Sequence, residues 1–216
     1  MPKTGLAPRA LVRLCALSQR GLWGLRLGRL YGVGIGLTYA LLSWLGPASL
    51  GTTAKLWARC LATASWVAGV GALSLATDLA ARDTTQGLTS LTRLRGFGEG
   101  ELERARTVAG ALRLTTTALV PGLMLALAAL LRFRSWHGTL VALALSALTV
   151  PYAALLGGSL ALLARACSRW LPGRGRLLLL AIVLGPWLLG SGIGAEVPSI
   201  PAAFGWLLHH VERSFR

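Results

Sequence analysis

The chain has 216 residues with 22 basic against 7 acidic side chains, a net charge of +15, yet only 13% of it is charged and 54% is hydrophobic. A soluble domain carries about a quarter charged residues, and the mean hydropathy of +0.63 excludes one here. The basic excess points to orientation in a membrane and not to nucleic acid, because the arginines stand in short segments beside apolar runs, with no RNA- or DNA-binding pattern among them.

Residues 1–29 combine Lys3, Arg9, Arg13, Arg20, Arg26 and Arg29 with Leu11, Val12, Leu14, Leu17, Leu22 and Trp23. That mix predicts an amphipathic arm lying in the membrane interface, its arginines facing lipid phosphates; an unstructured basic arm is the alternative. No small-residue cleavage site follows it, so no cleavable signal peptide is expected.

Apolar runs long enough to cross a bilayer follow over 30–48, 58–80, 109–131, 138–164 and 177–195. Trp44, Trp57, Trp136 and Trp170 fall near the predicted ends, where indoles prefer the headgroup level. Pro121, Pro151 and Pro186 lie inside the third, fourth and fifth runs and each removes one helical hydrogen bond. Gly32 with Gly36, and Gly190 with Gly194, have the spacing that lets helices approach closely. Phe204, Leu207, Leu208, Val211 and Phe215 make one helical stripe over 201–215. At roughly 22 Å that helix is short of a full hydrocarbon core, and a sixth span and a helix flat on the outer face are both open. The expected fold is an all-α polytopic membrane protein of five to six spans, with one transmembrane domain over 30–216.

Loop arginines set the orientation. With the N-terminus inside, the arm, residues 82–106 and the loop between spans four and five hold fifteen basic residues, against Lys55, Arg59, Arg132 and Arg134 outside. The reading is a multi-pass protein of the cell inner (plasma) membrane with a cytoplasmic N-terminus.

Signs of bond-making chemistry are missing. No G-x-S-x-G, H-E-x-x-H or C-x-x-C occurs, and Cys15, Cys60 and Cys167 are too far apart for a metal or disulfide framework. His209 and His210 are adjacent and point about 100° apart on a helix, so they do not share an ion easily. Asp78 and Arg82 have the helical spacing of a structural ion pair. Lys3 and Lys55 are the only lysines and neither follows a glycine, so no phosphate-binding P-loop exists. No cofactor is expected on this chain, and any ATP would be bound by a partner subunit.

One long polar stretch remains, 82–106. Asp83, Thr84 and Thr85 are helix-capping types. Leu88, Leu91 and Leu94 recur every three residues, giving a short amphipathic helix with Arg93 and Arg95 beside it. The chain turns at "GFGEG", and Glu99, Glu101 and Glu103 open the next helix, where acids favour the N-terminal end of the dipole. The product is a helix–turn–helix elbow on the cytoplasmic side.

The segments "WVAGVGALSLATDLAARDTTQGLTSL", "ARTVAGALRLTTTALVPGLML" and "TVPYAALLGGSLALLARA" leading to "LLLLAIVLGPWLL" together resemble the type-2 ABC exporter permeases. Within them the chain is most similar to the small haem-exporter permeases of cytochrome c maturation. The resemblance implies that the elbow is a coupling helix seated on a separate P-loop ATPase subunit, with Thr85, Gln86, Leu88, Leu91, Arg93, Leu94 and Arg95 as its contact residues. It also implies a second permease copy or related chain as partner. The spans offer mostly apolar and small residues, which suits a lipidic or amphipathic cargo. A membrane scaffold that anchors a cytoplasmic partner without transport is the second reading of the same elbow.

Overall fold

The computed structural model describes residues 9–19, 22–46, 49–76, 87–94, 96–133 and 135–183. Regular structure among them is helical throughout: α1 (Arg9–Ser18), α2 (Trp23–Leu45), α3 (Leu50–Leu75), α4 (Leu88–Leu94), α5 (Glu99–Arg132) and α6 (Trp136–Trp170). A further helical run covers 175–183. Three of these helices are long and apolar enough to cross a membrane: α3 over Gly51–Leu73, α5 over its full length and α6 over Gly138–Trp170. α2, 23 residues long, is not among them. Pro186, the rest of the expected fifth span and the helix over 201–215 lie outside the described residues.

The helices run alternately up and down. Gly28 of α2 meets Thr117 of α5 and Gly36 meets Met124, so these two are parallel. Leu75 of α3 packs on Gly110 and Leu61 on Gly122, so α3 is antiparallel to α5. α6 is antiparallel to α5 as well, because Gly157 sits on Thr115 while Arg165, lower down, reaches Glu103. The starts of α2 and α5 and the ends of α3 and α6 therefore share one end of the bundle.

Lipid is as apolar as leucine, so close packing and hydrogen bonds hold such a bundle together. α2 contributes a stripe of glycines, with Gly28, Gly32 and Gly36 buried. Its partner face on α5 carries Pro121, which has no N–H and leaves the carbonyl of Thr117 without its helical donor. Gly32 lies over that carbonyl: a Cβ there would stand 3.0 Å from the Thr117 oxygen, and one on Gly36 would stand 2.9 Å from the Pro121 Cα. The glycine stripe is shaped to the proline turn. α3 answers with a row of alanines, Ala54, Ala58, Ala64, Ala68 and Ala72, all buried.

Two sequence expectations shift. The second span was expected from residue 58, but α3 starts at Leu50 because Ser49 caps it, its side chain accepting the Thr52 N–H at 3.2 Å. That earlier start puts Trp57 inside the helix and not at its end. Trp57 is 2% exposed and its Nε1 donates to Thr149 Oγ1 of α6 at 2.9 Å, so it is a core residue and not a headgroup anchor. Trp44, Trp136 and Trp170 are exposed near helix ends. Likewise residues 23–29, expected in the arm, already belong to α2.

Candidate functional site

Within the expected elbow the described residues form α4, bracketed by Gly87 (φ +69) and Gly96 (φ +74). Both backbones are left-handed, a conformation glycine adopts without strain. After Leu94 the Phe97 N–H donates back to the Thr92 carbonyl at 3.0 Å, the six-to-one bond of a Schellman turn. Thr92 is buried and its hydroxyl donates to the Thr89 carbonyl at 3.0 Å, whereas Leu94 is 84% exposed. Two residues on, Gly98 caps α5 and its N–H donates to Glu101 Oε2 at 3.2 Å, while Glu99 and Glu101 meet the positive end of the helix dipole. Both sides of the turn are thus tied by hydrogen bonds, and α4 joins α5 through a short, closed connection.

From that turn α5 runs 34 residues without interruption, about 51 Å. Its uncharged stretch lies between Arg113 and Arg132, so the first four turns or so extend beyond the apolar slab. α1 lies against this extension. Leu11 and Cys15 are buried with Leu102, Ala105 and Ala109. Gln19 donates from Nε2 to the Arg106 carbonyl at 3.1 Å, and the Arg113 guanidinium donates to the Ala16 carbonyl. Ala16 is in the last turn of α1, whose carbonyls have no helical donors and whose dipole end is negative. Arg113 is only 6% exposed, a position a guanidinium holds only when hydrogen-bonded.

On the other flank of α5, Glu103 accepts from Arg165 at 2.8 Å and from Arg169, both on α6. One carboxylate thereby joins the base of α5 to the end of α6. Charge collects at this end of the bundle. Arg9 and Arg13 on α1, Arg26 and Arg29 on α2, Arg104, Arg106 and Arg113 on α5, Arg165 and Arg169 on α6, and Arg174 and Arg176 beyond it all belong to its side. Glu99, Glu101 and Glu103 are the acids among them, and the opposite end has Lys55, Arg59 and Arg132 among the described residues.

Of the expected contact residues, Leu88, Leu91, Arg93 and Leu94 lie on α4. Thr85, Gln86 and Arg95 lie outside the described residues, as do Asp78 and Arg82 of the expected ion pair. The sequence marked Glu103 as a helix-opening acid and Arg165 as an inner-loop charge but not their pairing, and it missed the contacts of Gln19 and Arg113. Arg113 carried a signal, as a charge at the edge of an apolar run; the other contacts carried none, since the partners are distant in sequence. A second feature is an open apolar groove of about 540 Å³ along α2, lined among the described residues by Leu27, Leu30, Tyr31, Gly34, Ile35, Thr38 and Tyr39. No metal-binding group of His, Cys, Asp and Glu occurs among the described residues. Comparison with protein-family models, with curated proteins and with solved structures gives no match.

Proposed function

We propose that this chain is the membrane permease subunit of an ABC-type exporter, of the type-2 class, coupled to a separate P-loop ATPase through the elbow. The observation that carries the reading is the short helix Leu88–Leu94, set off by left-handed glycines and closed onto a 34-residue helix that starts at the same turn. A push on α4 reaches α5 directly, and α5 carries it along the whole bundle. Through Glu103 it also reaches α6. The chain catalyses no bond change in this scheme; ATP is bound and hydrolysed by the partner.

The arginine-rich end faces the cytoplasm of a plasma-membrane protein with five full spans and a short C-terminal helix, and the positive-inside rule supports that side. Two permease chains, identical or related, enclose the path, and α2, with its open groove, borders it. Leu88, Leu91 and Leu94 enter a cleft of the ATPase, each burial contributing about 1.5–3 kcal/mol when complete. Arg93 and Arg95 steer the encounter from the rim.

The test is affinity purification of the tagged chain in mild detergent. A P-loop ATPase subunit co-purifies with the wild type, and a Leu88→Asp, Leu91→Asp double variant inserts normally but loses it. A double variant that keeps its full set of subunits and full transport overturns the docking. Co-purification of a cytoplasmic complex with no nucleotidase would favour the scaffold reading.

A further inference from the structure

An interfacial amphipathic helix ordinarily sinks its apolar face into the acyl boundary and leaves its basic face among the headgroups. α1 cannot work that way, because its apolar face is already used. Leu11 and Cys15 are sealed against Leu102, Ala105 and Ala109 of α5. What α1 presents outward is Arg9 and Arg13, one helical turn apart, with Leu17 one turn further on the same strip. With the uncharged stretch of α5 taken as the part inside the bilayer, this strip falls at headgroup level. It flanks α5 just below the apolar slab, and the next helix in the chain opens with Trp23, 74% exposed, an indole suited to that level.

We propose that this strip is a contact for anionic phospholipid headgroups, held by charge and not by insertion, and that α1 passes the contact to the base of α5. Charge complementarity selects the partner: the strip bears two guanidinium groups and no acid, and guanidinium matches a phosphodiester in geometry as well as sign. The guanidinium of Arg113 on the Ala16 carbonyl and the amide of Gln19 on the Arg106 carbonyl link α1 to α5. An anionic lipid that fastens α1 also stiffens the start of the helix that leaves the elbow. The inference rests on the packing of α1 and stands whether or not an ATPase docks on α4.

The experiment uses the full chain purified in non-ionic detergent, with thermal unfolding followed by tryptophan fluorescence. Phosphatidylglycerol raises the unfolding midpoint and phosphatidylcholine does not, and about 1 M salt removes the difference, because charges are then screened beyond roughly 3 Å. An Arg9→Gln, Arg13→Gln double variant has the wild-type midpoint in phosphatidylcholine but needs about thirty-fold more phosphatidylglycerol for the same rise, from the usual strength of one arginine at an anionic surface taken twice. The same change at Arg174 and Arg176 leaves the response in place. Equal responses to the two lipids overturn the proposal. So does an undiminished response in the Arg9, Arg13 variant, an equal loss in the Arg174, Arg176 variant, or an equal rise with a soluble polyphosphate, which would assign the strip to a soluble anionic partner.

Discussion

Gly157 and Gly158 are neighbours in α6 under opposite demands. A Cβ on Gly157 would stand 2.6 Å from the Thr115 backbone nitrogen and 2.8 Å from the Ala111 carbonyl oxygen, whereas one on Gly158 would meet nothing within 4 Å. Backbone does not yield as a side chain does, so Gly157→Ala forces α5 and α6 apart and costs about 1–3 kcal/mol or more. Gly158→Ala should stabilise by up to about 1 kcal/mol, the helix-propensity difference. Thermal unfolding of both variants in detergent checks this, and equal midpoints would contradict the α5–α6 packing. The sequence showed the pair but not which member faces the neighbour. The same holds on α2, where Gly32 and Gly36 were legible as close-packing residues, while their fit to the Thr117 carbonyl and Pro121 depends on a helix some eighty residues away. Trp57 was misread for a related reason. Its place near the end of an apolar run suited a headgroup anchor, but its hydrogen bond to Thr149 comes from α6.

At the scale of elements, α1 and α5 make one unit. Replacing Arg113 with Met removes the donor to the last turn of α1, a charged hydrogen bond of about 1.5–3 kcal/mol. α1 should then open more often, and tryptic cleavage after Arg9 or Arg13 should speed up by about ten-fold or more. An unchanged cleavage rate would separate Arg113 from the docking of α1. Glu103 makes a second joint, but it is partly exposed, as is Arg169. Glu103→Gln should therefore cost about 1 kcal/mol or less, while Glu103→Lys, facing Arg165 and Arg169, should lower the unfolding midpoint further. Equal midpoints for the two variants would show that the carboxylate contributes no net attraction. α1 itself was legible as an amphipathic pattern over the basic arm. Its partner was not, since period and composition mark a face as apolar without saying whether lipid or protein covers it. The turn between α4 and α5 was more legible, because Gly96, Glu99 and Glu101 act locally, through turn geometry and capping.

At the scale of the whole molecule the chain is helical, with three helices long and apolar enough to cross a membrane among the described residues. Positively charged residues gather at the end where α4 lies, which predicts that this end is cytoplasmic. Ser90 and Ser135 are both exposed and belong to opposite ends. With cysteine placed at each in turn, a membrane-impermeant thiol reagent added outside should label position 135 and spare position 90, and the reverse pattern would invert the topology. On the proposed function, α4 is then where a soluble motor reaches the bundle. Leu94 is the side chain that tests this claim most directly, because it is apolar, 84% exposed and at the very end of α4. The measurement is nucleotide hydrolysis and subunit content of the tagged complex purified with Leu94 intact or changed to Asp. A bound P-loop ATPase and vanadate-sensitive hydrolysis are expected with Leu94, and loss of both with Leu94→Asp at unchanged membrane content. Hydrolysis and subunits retained in full by Leu94→Asp, or no ATPase in the wild-type complex, would contradict it.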